Sequence, residues 1–322
     1  MKIAVFWEKR FENNYFYNLS IDKNLSPFSE MVKINGSKDT VSVDILESRI
    51  DKNEFVMFCF LTLSVFSIWK YLKMFWKYPK NKKYLFLFEP RVVSPLSYSK
   101  IIHIFFDKIY TWNDSLVDNK KYFKFIWPQS WSWLQNPISF VEKKWIVLVN
   151  ANKSSLWKYE LYSSREKIIR YFEKNQIEFD LYGPGWWKAN RYQCIFGYSL
   201  FPSWRWRAED KIKTISHYKF NICFENMSNT PGYITEKIWD SFKAKVVPIY
   251  WGASNIEDYI PKNCFIDYRD FWDFRKIESF LSTLTEDQYN KYIQNIEAFL
   301  QTKNAKKWFD EDWATDFLVS VQ

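Results

Sequence analysis

The chain is predicted to fold as two consecutive α/β units, each built on a mainly parallel sheet. Its 322 residues exceed the usual size of one domain, and two units of about 150 residues each are the natural division. Short apolar or β-branched runs alternate with helical stretches through both halves, which is the pattern of parallel sheets with helical crossovers. Hydrophobic residues make up 47% and charged residues 26%, with no internal repeat or low-complexity tract. There is material for two cores, and a disordered chain is excluded.

In the first unit, residues 1–135, strands are expected at 2–7, 41–46, 55–60, 84–88 and 122–126. Around Pro128–Pro137 the run WPQSWSWLQNP has turn residues and no period, and reads as the linker. The second unit, residues 140–300, is expected to run Trp145–Val149 as strand, Leu161–Lys174 as helix, Phe179–Tyr182 as strand and Lys211–His217 as helix. A strand at Phe220–Phe224, a helix opening after Thr235 and a strand at Val246–Trp251 follow. Glu286–Leu300 and Ala305–Val319 read as helices, the last within a C-terminal segment 301–322.

The apolar stretch Phe55–Trp69 contains Thr62, Ser64 and Ser67 and is short for a bilayer. It reads as a buried strand passing into a helix. MKIAVFWEKR passes from an apolar run straight into charge, unlike a secretory leader. A cytoplasmic protein is the expectation.

Two histidines, His103 and His217, leave little for a zinc site or a Ser-His-Asp hydrolase. Cys59, Cys194, Cys223 and Cys264 lie far apart with no ligand spacing, and three of them sit in apolar surroundings as buried thiols of a reducing compartment. Carboxylates are the better candidates for acid–base work. The net charge of +9 gathers in lysine–aromatic stretches at Lys70–Lys83 and Lys120–Trp127. These suit peripheral contact with an anionic membrane surface. No nucleic-acid module accompanies them, so nucleic acid is not an expected partner.

The densest set of unusual polar groups is Phe220–Gly252, FNICFENMSNTPGYITEKIWDSFKAKVVPIYWG. An apolar strand ends in Glu225 and Asn226, Pro231 and Gly232 break the backbone, Thr235 is placed to cap a helix, and Glu236 and Lys237 fall in its first turn. Open α/β sheets bind ligands at strand ends and helix starts. A helix N-terminus favours anions, and Lys237 adds a full positive charge. Glu236 suits sugar hydroxyls or holds the lysine. An ordinary capped helix start with a solvated ion pair fits the same three residues taken alone.

The whole segment resembles the alpha-1,3-fucosyltransferases, the inverting enzymes that use GDP-fucose. The resemblance is carried by Phe224-Glu225-Asn226, by Gly232-Tyr233-Ile234-Thr235-Glu236-Lys237 and by Pro248-Ile249-Tyr250-Trp251-Gly252, in order and spacing, over about thirty residues. Asp180-Leu181-Tyr182-Gly183 is similar to a further run of that family. The resemblance implies the GT-B architecture, two Rossmann-like α/β domains facing a cleft with C-terminal helices. It implies GDP-fucose as donor and an oligosaccharide or glycoconjugate acceptor, with O3 of N-acetylglucosamine the usual target.

Carried over residue by residue, the resemblance places Arg165 on the donor diphosphate with Lys237. Glu225, Asn226, Tyr233 and Glu236 would orient sugar and nucleotide. Arg165 also reads as one charge on an exposed helix, with Arg170 and Lys153 as substitutes. Glu89, closing the apolar run YLFLFEP, is the candidate base that takes the acceptor proton, although Phe88-Glu89-Pro90 replaces the family's usual neighbourhood; Asp107 and Asp114 are the alternatives. Ten residues separate Glu225 from Glu236, unlike the seven between the paired glutamates of many retaining enzymes, which favours inversion. With the helix N-terminus, Lys237 and Arg165 to meet leaving-group charge, no cofactor and no metal site are expected, and a divalent ion would be at most stimulatory. A transferase for another nucleotide sugar, and a non-catalytic basic, aromatic protein that binds glycans or membrane surfaces, are the alternative readings.

Overall fold

The computed structural model describes residues 1–6, 26–36, 38–47, 54–62, 68–131, 133–134, 136–187 and 201–321. In chain order the elements are β1 (Ile3–Phe6), α1 (Ser26–Asn35), β2 (Thr40–Ser42), α2 (Val43–Glu47), β3 (Val56–Phe60), α3 (Ile68–Lys77), β4 (Lys83–Leu87), α4 (Lys100–His103), β5 (Lys108–Thr111) and β6 (Tyr122–Lys124). There follow β7 (Lys144–Val149), α5 (Tyr162–Lys174), β8 (Phe179–Tyr182), α6 (Lys211–Ser216), β9 (Tyr218–Phe224), α7 (Glu236–Lys243), β10 (Val247–Trp251), β11 (Ile266–Asp267), α8 (Phe274–Thr283), α9 (Glu286–Leu300), α10 (Lys303–Lys306) and α11 (Asp310–Val321). The chain divides into two compact units: Met1–Trp131 with Pro231–Tyr233 and Lys303–Gln322, and Ser132–Thr230 with Ile234–Thr302.

The first unit is a parallel sheet in the order β2-β1-β3-β4-β5-β6. Its central strands carry apolar runs, VMFCF in β3 and YLFL after Lys83 in β4, because both faces of a parallel sheet are covered. One face is a sheet of rings: Phe60 stacks on Phe86 at 4.6 Å and Phe86 on Tyr110 at 4.8 Å. Phe28 and Met31 of α1 and Trp313 and Phe317 of α11 complete that core. The C-terminal segment 301–322 thus contributes α10 and α11 to the unit where the chain begins. The run 41–46, expected as a strand, pairs with β1 only as far as Ser42, and Val43–Glu47 turns helical. β5 was not anticipated; it lies between β4 and β6 and supplies the buried Ile109 and Tyr110.

The second unit is a parallel sheet ordered β11-β10-β9-β7-β8. Ile168, Ile169 and Phe172 of α5 recur at helical spacing and are fully buried against it. On α7 every residue from Lys237 to Lys243 is buried. α8 was not anticipated by the sequence; Asp273 opens it by accepting from the Arg275 amide. Among the described residues no helix is long and apolar enough to cross a membrane. Cys59, Cys223 and Cys264 are free and buried, whereas Cys194 lies outside the described residues.

Candidate active site

The second unit gathers its unusual polar groups where β9 ends and α7 begins. Arg165, on α5, is 2% exposed and reaches the end of β9: Nη2 donates to the Phe224 carbonyl at 2.6 Å and to Asn226 Oδ1 at 3.0 Å, and Nε to the same carbonyl at 3.2 Å. The Asn226 carbonyl in turn accepts from the Leu161 amide at 3.1 Å, at the start of α5. A guanidinium fork suits this because it grips two acceptors in one plane. The exposed-helix reading of Arg165 is therefore set aside, and its charge lies under the strand end.

Glu225 is 0% exposed. Its Oε1 accepts from the Thr235 amide at 2.8 Å, and its Oε2 from the Thr235 hydroxyl at 2.7 Å and from Lys237 Nζ at 3.2 Å. Thr235 stands at the N-cap position with extended backbone, but its hydroxyl caps no amide of α7; it is committed to Glu225. A carboxylate at a helix N-terminus also opposes the positive end of the dipole. Glu225, expected among the donor's own contacts, is thus placed beneath Thr235 and Lys237, holding both.

Lys237 has a side chain only 7% exposed, and Nζ lies 3.1 Å from Thr235 Oγ1 and 3.3 Å from Glu236 Oε1. Glu236 is the one of these groups turned outward, its side chain 44% exposed. Enclosure acts to raise its carboxyl, but the Lys237 and Lys211 charges outweigh this and hold it at about 2. Lys211 is itself fixed by Asp240 at 2.7 Å.

Behind this cluster the end of β10 packs tightly. A Cβ on Gly252 would stand 2.4 Å from Glu225 Cγ and 2.5 Å from the Tyr250 hydroxyl oxygen, so only glycine leaves room for the glutamate. The same strand end holds the Glu225 amide through the Trp251 carbonyl at 2.8 Å. The Cys223 thiol, pushed up to about 12 chiefly by burial, lies 3.2 Å from the Lys237 carbonyl and is no nucleophile.

Tyr233 and Glu89 belong to the first unit. Tyr233 is 1% exposed and its ring lies 4.5 Å from that of Trp112. Gly232 has φ +80°, and a Cβ there would meet the Trp112 carbonyl oxygen at 2.2 Å. The Pro231 carbonyl accepts from the Asp114 amide at 3.2 Å. Tyr233, expected with the donor residues, thus packs its ring on Trp112 within the first unit. Glu89 is half-buried two residues beyond β4, with its carbonyl accepting from the Tyr98 hydroxyl at 3.0 Å. Of its two alternatives, Asp114 is ion-paired with Lys124 at 2.5 Å.

Residues 143–316, more than half of the chain, match the family model described as glycosyltransferase family 10 (fucosyltransferase), C-terminal part. The chain belongs to that family. An alpha-(1,3)-fucosyltransferase of Helicobacter pylori is 35% identical over 106 residues, 32% of this chain and 22% of that protein. GDP-fucose protein O-fucosyltransferase 3 of Danio rerio is 30% identical over 174 residues, 49% of this chain and 35% of that protein. The chain thus matches about a fifth to a third of these curated relatives' lengths. A crystal structure of an alpha1,3-fucosyltransferase with GDP superposes with a TM-score of 0.55 at 16% identity, covering 97% of this chain and 92% of that one. The two parallel-sheet units are those of the GT-B glycosyltransferases.

For this fucosyltransferase family member, sequence reasoning missed Lys211 and the roles of Thr235, read there as a helix cap, and of Gly252. Thr235 and Gly252 lay inside the matched runs, but nothing in their spacing told that both serve Glu225. Lys211 had no signal, because it comes to α7 from the preceding helix only through the fold.

Proposed function

We propose that the protein transfers L-fucose from GDP-fucose to a hydroxyl of a glycan, with inversion, making an alpha-1,3 linkage to O3 of N-acetylglucosamine. The observation that carries this is Lys237 held at the start of α7, at the C-terminal edge of a parallel sheet, inside the matched fucosyltransferase region. Lys237 and the amides opening α7 meet the charge that develops on the departing diphosphate. Arg165 keeps Asn226 in place at the strand end and adds positive charge beneath it. Glu236 accepts from donor sugar hydroxyls.

The acceptor oxygen forms its bond to the anomeric carbon as the bond from that carbon to the β-phosphate oxygen breaks, and GDP leaves with the electron pair. Glu89 takes the acceptor's proton, a contribution of about 10²–10⁴ in rate. With fixed positive groups at the leaving group, the reaction needs no metal, and a divalent ion is at most stimulatory. The enzyme acts in the cytoplasm, with its basic surface suited to the inner face of a membrane.

GDP release from GDP-fucose with a galactose–N-acetylglucosamine acceptor tests the reading, with the product linkage determined by NMR. Glu89→Gln and Lys237→Ala should each lower turnover at least a hundredfold. Near-normal turnover of Glu89→Gln would move the base elsewhere, and preference for another nucleotide sugar would overturn the donor. A protein hydroxyl is the second acceptor class, because the match to the protein O-fucosyltransferase covers more of the chain, 49% against 32%. Acceptor screening with a folded protein domain beside the disaccharide separates the two.

A further inference from the structure

Lys237 Nζ is hemmed in by oxygen atoms on three sides. It donates to Thr235 Oγ1 at 3.1 Å and to Glu236 Oε1 at 3.3 Å, it is ion-paired with Glu225 Oε2 at 3.2 Å, and its side chain is only 7% exposed. A phosphate that approaches this ammonium competes with the oxygens already around it. Glu225 and Thr235 are 0% and 1% exposed and are bound to each other twice. Neither can leave without opening the strand end. Glu236 is the first residue of α7, its side chain is 44% exposed, and one oxygen alone engages the lysine.

We propose that Glu236 is an internal stand-in for the donor's phosphate: it occupies Lys237 in the free protein and yields that place when a nucleoside diphosphate binds. Its carboxylate then turns to the hydroxyls of the donor sugar. The inference rests on the reading of Lys237 as a phosphate ligand. Charge supports the exchange. The neighbouring Lys237 and Lys211 keep Glu236 ionised at any working pH, so it competes for the cation as a full anion. A phosphate and a carboxylate cannot both crowd one lysine without repelling each other. Lys211, fixed by Asp240, remains beside the vacated position.

The exchange gives one side chain opposite effects on two steps. Removing the charge of Glu236 frees Lys237 for the nucleotide, yet weakens the hold on the sugar. A residue that merely supports the fold would lower both. Glu236→Gln and Glu236→Ala should bind GDP about two- to fivefold more tightly, the worth of a half-exposed ion pair, while transfer from GDP-fucose slows. Calorimetric titration of the full chain with GDP, and with inorganic pyrophosphate as a probe lacking base and sugar, measures the first effect. Initial rates measure the second, and thermal melting confirms that the variants fold.

Tighter binding of both probes by both variants is the expected result. GDP affinity unchanged or reduced in the two Glu236 variants overturns the exchange. Lys237→Gln tests the underlying reading by itself: if it leaves GDP affinity unaltered, Lys237 is not the phosphate ligand, whatever Glu236 does.

Discussion

The Glu225 carboxylate binds Thr235 through both of its oxygens, to the amide at 2.8 Å and to the hydroxyl at 2.7 Å. A side chain with no access to solvent therefore sets the first turn of α7 and the height of Lys237. Glu225→Ala would leave the ammonium and the Thr235 donors buried without this acceptor, a loss of about 3–5 kcal/mol, read as a lower urea midpoint. Gly252→Ala should displace the same side chain from the other side and cost about 1–3 kcal/mol. Combined, the two substitutions should cost less than their sum, since alanine at 225 has no Cγ for the new methyl to strike. Strict additivity would count against the packing between them.

Arg165→Lys should fail as a conservative change. Lysine keeps the charge but cannot bind the Phe224 carbonyl and Asn226 Oδ1 with one planar group. A stability loss of about 1.5–3 kcal/mol is expected, and the proposed donor reading adds weaker GDP binding. Thermal unfolding and GDP titration check the two parts; a variant with unaltered melting would show that the contacts at the end of β9 carry little.

Gly232→Ala should unseat the loop on which Tyr233 rests. Its φ of +80° disfavours any side chain, and a methyl there would meet the Trp112 carbonyl oxygen at 2.2 Å. Lowered thermal stability and altered tryptophan fluorescence are expected, the second because Trp112 and Tyr233 pack ring to ring. An unchanged spectrum would mean that the rings stay together without the turn.

Lys143 gives a prediction in pH. It is 7% exposed, donates to the Lys245 carbonyl at 2.9 Å, and burial lowers its ammonium from the ordinary 10.5 to about 8. The folded form therefore binds fewer protons than the unfolded form between pH 8 and 10.5. Below that window the full penalty applies, and it is relieved as pH rises through the window. Lys143→Met should raise stability at pH 7 by up to about 3 kcal/mol, less the lost hydrogen bond. The advantage should vanish toward pH 10.5. Urea midpoints at neutral and alkaline pH measure it.

The sequence was most legible where several local signals agreed. From Tyr218 to Trp251 the apolar runs, the broken loop and the helix start all pointed to strand, loop, helix and strand, and the fold has them in that order. It was less legible where an element is too short to carry a period. β2 stops at Ser42 and β5 has four residues, so tertiary pairing decides them. The individual roles were the hardest to read. Glu225 and Glu236 are both acids beside one lysine, but one is 0% exposed and the other faces out. That difference comes from Gly252 and Thr235, which reach Glu225 only after β9, β10 and α7 have come together. Tyr233 likewise stands two residues before Thr235 yet is packed on Trp112, a partner far away in the chain.

α11 carries a consequence for the order of synthesis. Its Trp313 lies 5.3 Å from Phe28, and its Phe317 lies 5.8 Å from Phe58 and 5.6 Å from Phe86, so the ring-lined face of the first unit is finished by residues translated after the whole second unit. On the ribosome the second unit has all of its own strands and helices available first. The usual N-terminal-first sequence of folding is then inverted, and a nascent chain stalled before Asp310 displays an uncovered aromatic face for chaperones to guard.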